Sequence, residues 1–366
     1  MRSFGFFAAL VALSVALIGC GRSEISGVPS KFRPIEPHAI NVDDVVVLRD
    51  FSLSTTVAKP QASWAPNSYM LLARSVKGLM LMRAGVGTAA YRTDDATSPF
   101  DPYFWGTDLV VLGPEPHIGH DEESERITIP PTGLMVAEFT GDALQRPVKL
   151  TEQGYRPRPW GERVVYSVED EIVLTDLSGE EEDFVAGFLP EPQPRGPGIA
   201  WQTKPVFSYD YWTGKRGNGD LVVRWRSSVV DTIADAVHPR WTPWGGIMYT
   251  ALKGSVPATG SWWTQGSDVM HVAGPGEKPQ VIMRDAHWIE PHPRLRVAAI
   301  TANDGRVHLV DLETGATRFF IARGERPRWS HDGRRLMLEE PNADDPSITD
   351  LHIYVLKLEG EEQAEQ

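Results

Sequence analysis

Apolar and polar positions alternate along this chain in short bursts that never settle into a helical period. Seven times an apolar-rich run ends in a turn residue: GLMLMRAG (78–85), GLMVAEFTG (133–141), EIVLTDLSG (171–179), DLVVRWRSS (220–228), DVMHVAGPG (268–276), RVHLVDLETG (306–315) and LHIYVLKLEG (351–360). Upstream of most of them an aromatic residue precedes a turn and a further apolar run, as in Ser63-Trp64-Ala65-Pro66-Asn67, Arg240-Trp241-Thr242-Pro243-Trp244-Gly245 and Arg328-Trp329-Ser330-His331-Asp332-Gly333. Short runs rich in Val, Leu, Ile, Tyr and Met between Gly, Pro, Asp and Asn clusters are the mark of an all-β chain. Self-similarity at this period marks a repeat architecture.

Each repeat divides into four strands. In the sixth, strand a is Ala286 to Ile289, b is Arg296 to Thr301, c is Val307 to Leu312 and d is Thr317 to Ile321. Asn303-Asp304-Gly305 and Glu313-Thr314-Gly315 supply the tight turns. One such sheet cannot bury both its faces, so neighbours must stack, and radial stacking leaves only short protected edges. The expectation is an all-β, seven-bladed β-propeller of four-stranded antiparallel blades over 39–360, with six or eight blades as alternatives. The seventh repeat supplies a (Arg326 to Trp329), b (Arg335 to Glu339) and c (His352 to Leu358) and then runs out. Asp44 to Arg49 is the fourth strand it lacks, so the ring is expected to close by pairing first strand with last.

The ends modify this picture. Residues 4 to 18 form an apolar run behind Arg2, closed by Leu17-Ile18-Gly19-Cys20, which reads as an export signal over 1–19. The cysteine after Gly19 makes the segment resemble a bacterial lipoprotein signal. That resemblance implies acylation of Cys20 and a membrane anchor, with Gly21 pointing to the outer membrane, facing the periplasm; an ordinary secretory signal is the alternative. Residues 20–38 carry Gly, Ser and Pro without periodicity and read as a tether, and 361–366 as an acidic tail. Cys20 is the sole cysteine, so the domain has no disulfide, thiol nucleophile or thiolate metal site. Net charge is −13, or −14 once Arg2 is removed, which argues against nucleic-acid partners. Glu180 to Asp183 reads as a solvated turn.

Pro327 to Leu338, with its Trp329-Ser330-His331-Asp332-Gly333 turn, resembles the repeat of TolB-type β-propellers. The fit is good in repeat seven, fair in one, five and six, and poor in two and four. It implies the propeller fold; members of the family range from envelope scaffolds to domains that gate peptidases, so function does not follow from it.

In such a ring the b–c and d–a loops emerge on one face and the a–b and c–d turns on the other. The b–c connections expand in repeats two (Gly113 to Thr132), four (Tyr211 to Gly219), five (Ala251 to Ser267) and seven (Glu340 to Asp350), and the Pro-rich Phe188 to Gly198 reads as a d–a connection joining them. Insertions gathered on one face point to a binding surface there. Trp212 with Lys215 and Arg216, and Trp262 with Trp263, are its candidate anchors for a partner protein or sugar, packing of the loops on the rim being the alternative. His117, His120 and Asp121 have the donor types for a divalent metal, against a plain polar loop. Trp64, Trp201, Trp241, Trp288 and Trp329 recur with the repeat and read as core. Gly85 to Ala90 imitates a dinucleotide fingerprint, but at a c–d turn with no helix behind it. Phosphate-loop, His-Glu-x-x-His and Gly-x-Ser-x-Gly signatures are absent from the sequence. The chain is expected to be a monomeric, non-catalytic, lipid-anchored binding or scaffold protein of the envelope without a cofactor. The alternative is a metal-assisted hydrolase or lyase acting on glycan or peptide, with its site on the same face or in the central channel.

Overall fold

A computed structural model of the chain describes residues 45–358 apart from 56–59, 76–77, 84–85, 93–99, 115–116, 121–124, 129–132, 142, 205–218, 227, 255–265 and 346. The signal, Cys20, the tether and the acidic tail lie outside the described residues. What is described is built from strands and turns, in seven four-stranded antiparallel sheets and one two-stranded hairpin.

Blade 1 comprises Ser63–Trp64, Met70–Ser75, Gly78–Arg83 and Val86–Arg92. Blade 2 comprises Phe100–Trp105, Leu109–Pro114, Met135–Glu138 and Val148–Lys149, and blade 3 Tyr155–Trp160, Arg163–Val168, Glu171–Thr175 and Glu181–Ala186. Blade 4 comprises Phe188–Pro192, Ile199–Gln202, Leu221–Arg226 and Val229–Ile233, and blade 5 Ala236–Trp241, Ile247–Leu252, Ser267–Val272 and Gln280–Arg284. Blade 6 comprises Ala286–Pro291, Val297–Ala302, Arg306–Asp311 and Thr317–Arg323. In blade 7, strands Glu325–Trp329, Arg335–Pro341 and Thr349–Leu358 are completed by Val45–Ser54, which pairs from Val45↔Leu358 to Ser54↔Asp350. The seven-bladed ring and its closing strand are as expected.

Why the ring holds is clear from its core, which sits between sheets. Val297, Ala299, Val307 and Leu309 of blade 6 pack on Trp329, Leu336, Leu338 and Leu356 of blade 7. Blades 7 and 1 meet through Met337, Leu351 and Ile353 against Trp64, Leu71, Ala73 and Met82. Similar clusters join blades 1–2, 2–3, 3–4, 4–5 and 5–6. A middle strand is therefore covered on both faces, which explains why Val297–Ala302 is buried at every position and apolar at most.

Two expectations need correction. Phe188 to Gly198 is not a d–a connection on the insertion face: Phe188–Pro192 is strand a of blade 4, and Gln193 to Gly198 is its a–b turn, on the opposite face. Its prolines lack the N–H of a ladder and mask the strand, yet they are tolerated because strand a is the inner edge of the sheet. Glu181 to Asp183 is not a turn but the start of the exposed outer strand of blade 3. There Glu181 accepts from the Tyr166 hydroxyl at 2.8 Å and Glu182 from Arg163 at 2.6 Å. Charges along an outer edge keep it from pairing with other chains.

Candidate functional site at the mouth of the central channel

Four of the seven inner strands share a distortion. Arg156, Leu189, His238 and Arg326 take φ of 53°, 51°, 53° and 48°, each immediately before a proline. The strand register skips that pair of residues, between Tyr155 and Arg158, Phe188 and Glu191, Val237 and Arg240, and Glu325 and Arg328. A left-handed residue ahead of proline is unfavourable twice over, and strain of this kind persists only where the surroundings over-determine it. Blade 6 skips once as well, between Ala286 and Trp288. Each bulge re-aims the residue after it.

Arg158 (blade 3), Glu191 (blade 4), Arg240 (blade 5) and Arg328 (blade 7), each the residue after such a bulge, form a ring about the channel together with Glu290 (blade 6), and the signs alternate. Glu191 Oε2 is 3.2 Å from Arg158 Nε and 3.4 Å from Arg240 Nη1. Glu290 Oε2 is 3.3 Å from Arg240 Nε and 3.2 Å from Arg328 Nη1. Ser63 and Tyr103 occupy the positions of blades 1 and 2, with the Arg158 guanidinium 4.3 Å above the Tyr103 ring centre.

The recurring tryptophans hold this ring in place. The indole N–H of Trp241 donates to the Glu191 carbonyl at 2.9 Å, that of Trp329 to the Glu290 carbonyl at 3.2 Å and that of Trp64 to the Arg328 carbonyl at 3.0 Å. Each tryptophan thus ties its own blade to the ring residue of the blade before, and the last of these bonds crosses the closure.

The ring floors a cavity of about 400 Å³ that opens between the a–b turns. Its walls include Trp64, Trp241, Trp329, Pro194, Pro243 and Pro293. Beneath the ring a smaller space of about 40 Å³ is lined by Arg156, Gln202 and His238 among others. Hydrogen bonds brace the mouth between blades 6 and 7. His292 Nδ1 accepts from the backbone N–H of Arg294 and Leu295 at 3.0 and 2.9 Å, so its proton is on Nε2, which donates to the Gly333 carbonyl at 2.9 Å.

Electrostatics set what the ring can do. Burial by itself would raise the Glu191 carboxyl, but Arg240 and Arg158 on its two sides hold it below the ordinary carboxylate value. Burial also disfavours charge on Arg158, yet Tyr103 and Glu191 outweigh it and hold its guanidinium above the ordinary value. Arg240 goes the other way: burial, helped by Arg328 and Arg158, lowers it despite Glu191 and Glu290. Neither the permanently charged arginines nor the carboxylate held between them readily passes a proton.

With this geometry the chain can be set beside known proteins. No family model and no curated protein matches it. Solved structures do. A chain of the mitotic checkpoint complex superposes with a TM-score of 0.56 at 11% identity, over 90% of this chain and 96% of that one. The Cps50 (Swd1) β-propeller domain of Myceliophteria thermophila superposes with a TM-score of 0.50 at 9% identity, over 84% of this chain and 98% of that one. The fold is that of a WD-type β-propeller. At such identities the likeness extends to the propeller alone.

The candidate residues read from the b–c insertions fare differently. Trp212, Lys215, Arg216, Trp262 and Trp263 lie outside the described residues, as does Asp121. The backbone of His117–His120 forms a strand paired with Glu125–Thr128, from His117↔Thr128 to His120↔Glu125. Gly85 lies outside the described residues and Val86–Arg92 is a strand, so nothing there opens a phosphate-binding helix. Trp64, Trp201, Trp241, Trp288 and Trp329 are all buried, as read. What sequence reading missed is the charge between the prolines and tryptophans: Pro157-Arg158-Pro159-Trp160, Pro190-Glu191-Pro192, Pro239-Arg240-Trp241 and Pro327-Arg328-Trp329. That triplet was the available signal.

Proposed function

We propose that this protein is a lipid-anchored, non-catalytic binding module of a bacterial envelope, and that its partner protein docks over the channel mouth on the a–b face. The observation that carries the reading is the alternating Arg–Glu ring at the floor of the cavity, held by strained bulges and by tryptophan bonds between blades. Strain kept in register over four blades supports a site, since stability alone has no use for it. The lipoprotein-like Cys20 and the tether behind it support display from a membrane surface. The reading moves the docking face from the b–c loops to the a–b turns.

Photo-crosslinking in intact envelopes tests it. A photoreactive residue in place of Pro194 or His331, at the mouth, is expected to give a discrete adduct that Arg240→Glu removes. Adducts arising only from Asn342, in the b–c loop of blade 7, would return the docking surface to that face. Anchoring is tested separately: Cys20→Ala is expected to abolish acylation, read by mass spectrometry of the membrane fraction.

A further inference from the structure

The charged ring leaves one bridge unmade. Glu191 lies between Arg158 and Arg240, and Glu290 between Arg240 and Arg328. On the remaining arc, from Arg328 round to Arg158, blades 1 and 2 offer Ser63 and Tyr103, which bear no charge. Arg328 therefore meets a ring carboxylate only on its blade 6 side, and Arg158 only on its blade 4 side.

A second, independent feature lies on the same arc. Gln61, which lines the cavity and is 8% exposed, has its Nε2 buried without a hydrogen-bond acceptor. A buried amide donor left unmatched is unfavourable and calls for an explanation. Three arginines against two glutamates leave the ring itself with one positive charge in surplus, and Arg195 adds another at the wall of the same half-enclosed space.

We propose that the channel mouth binds a ligand carboxylate, seated between Arg328 and Arg158 against Ser63 and Gln61, where it acts as the third acid of the ring. The inference rests on the channel mouth being the binding site. The ligand body then meets Trp64, Trp241, Trp329 and the prolines of the wall, which suit an apolar group. Two sources share this chemistry, the free C-terminus of a polypeptide and a free monocarboxylic acid.

Calorimetric titration of the full chain distinguishes them with three probes: a tripeptide ending in leucine, its C-terminal amide, and octanoate. The free tripeptide is expected to bind at least about tenfold more tightly than the amide, the difference of one charge-assisted contact. Binding of octanoate alone assigns the site to free acids, and binding of the peptide assigns it to chain ends. Ser63→Glu places a carboxylate of the protein's own at the vacancy; it is expected to raise Tm and to abolish binding. Ser63→Gln fills the same space without charge and is expected to leave Tm unraised. Acid and amide binding alike, no binding by either acid, or a Ser63→Glu protein that binds as the wild type would each overturn the proposal. Adducts from Pro194 or His331 that persist without carboxylate binding would keep the docking face and remove this inference.

Discussion

Gly333 shows how little latitude the channel mouth allows a single residue. It adopts φ of 76° in the a–b turn of blade 7, and a Cβ there would lie 2.4 Å from His292 Cε1. That ring cannot retreat, because both its nitrogens are engaged and it stacks edge-on against Trp329 at 4.8 Å. Gly333→Ala is therefore expected to cost about 2 kcal/mol or more, read as a lowered urea midpoint. The ring charges obey a different rule. Glu290 serves two arginines from a site where its side chain is 19% exposed, so removing its charge strands Arg328 and leaves Arg240 with Glu191 alone. Glu290→Gln is expected to destabilise by about 2 kcal/mol, and a double-mutant cycle with Arg328→Gln to recover a coupling near 1 kcal/mol. Strict additivity in that cycle would mean the 3.2 Å contact carries no energy.

Among elements, the closing strand makes the clearest demand. Val45–Ser54 pairs with Thr349–Leu358 along nearly its whole length, and Thr55 N–H continues the match by donating to the Thr349 carbonyl at 2.8 Å. Deleting residues 45–54 is expected to abolish the cooperative melt. Re-attaching the same strand after Leu358 through a short loop is expected to restore it, because the pairing is antiparallel. A deletion that melts like the parent would refute closure by this strand. This element was legible from sequence because its apolar run had no partner and the seventh repeat lacked a strand. Blade 4's first strand was not. Phe188-Leu189-Pro190-Glu191-Pro192 shows no alternation, since an inner edge strand with a bulge has neither a regular face nor a full ladder to satisfy. The ring was hidden for a related reason. Its members belong to five different blades, and their convergence depends on a register that bulges shift. Tryptophans stood out because they fill the same gap between blades each time; the charged residue beside them varies in sign.

For the whole molecule, the buried histidines set a pH limit. Burial lowers His287 and His292 to about 4, and takes His238 well below its ordinary value, with Arg240, Arg156, His287 and Arg326 adding to the effect. The unfolded chain takes up these protons near pH 6.5 while the folded chain does not. Stability is therefore full above pH 6.5 and falls as pH drops toward 4, by roughly 3 kcal/mol for each of His287 and His292. Glu325, pushed up by burial, acts in the opposite sense and offsets part of the loss. The urea midpoint is expected to fall steadily from pH 6.5 to 4.5, and His292→Gln, though less stable at pH 7, to show a shallower slope. A midpoint independent of pH over that span would show that these histidines titrate alike in both states.

The number of blades has a last consequence for the ring of charges. Signs that alternate around a circle can return to their starting point only if the circle has an even number of members. Seven is odd, so at least one blade must stand out of the alternation or set two like charges side by side. Here two blades abstain, and the five that remain begin and end on arginine. An even-bladed wheel could satisfy every charge from within. In this one it is the second abstention, and not parity, that leaves the arginines one ahead, since a single neutral blade would have left three of each sign.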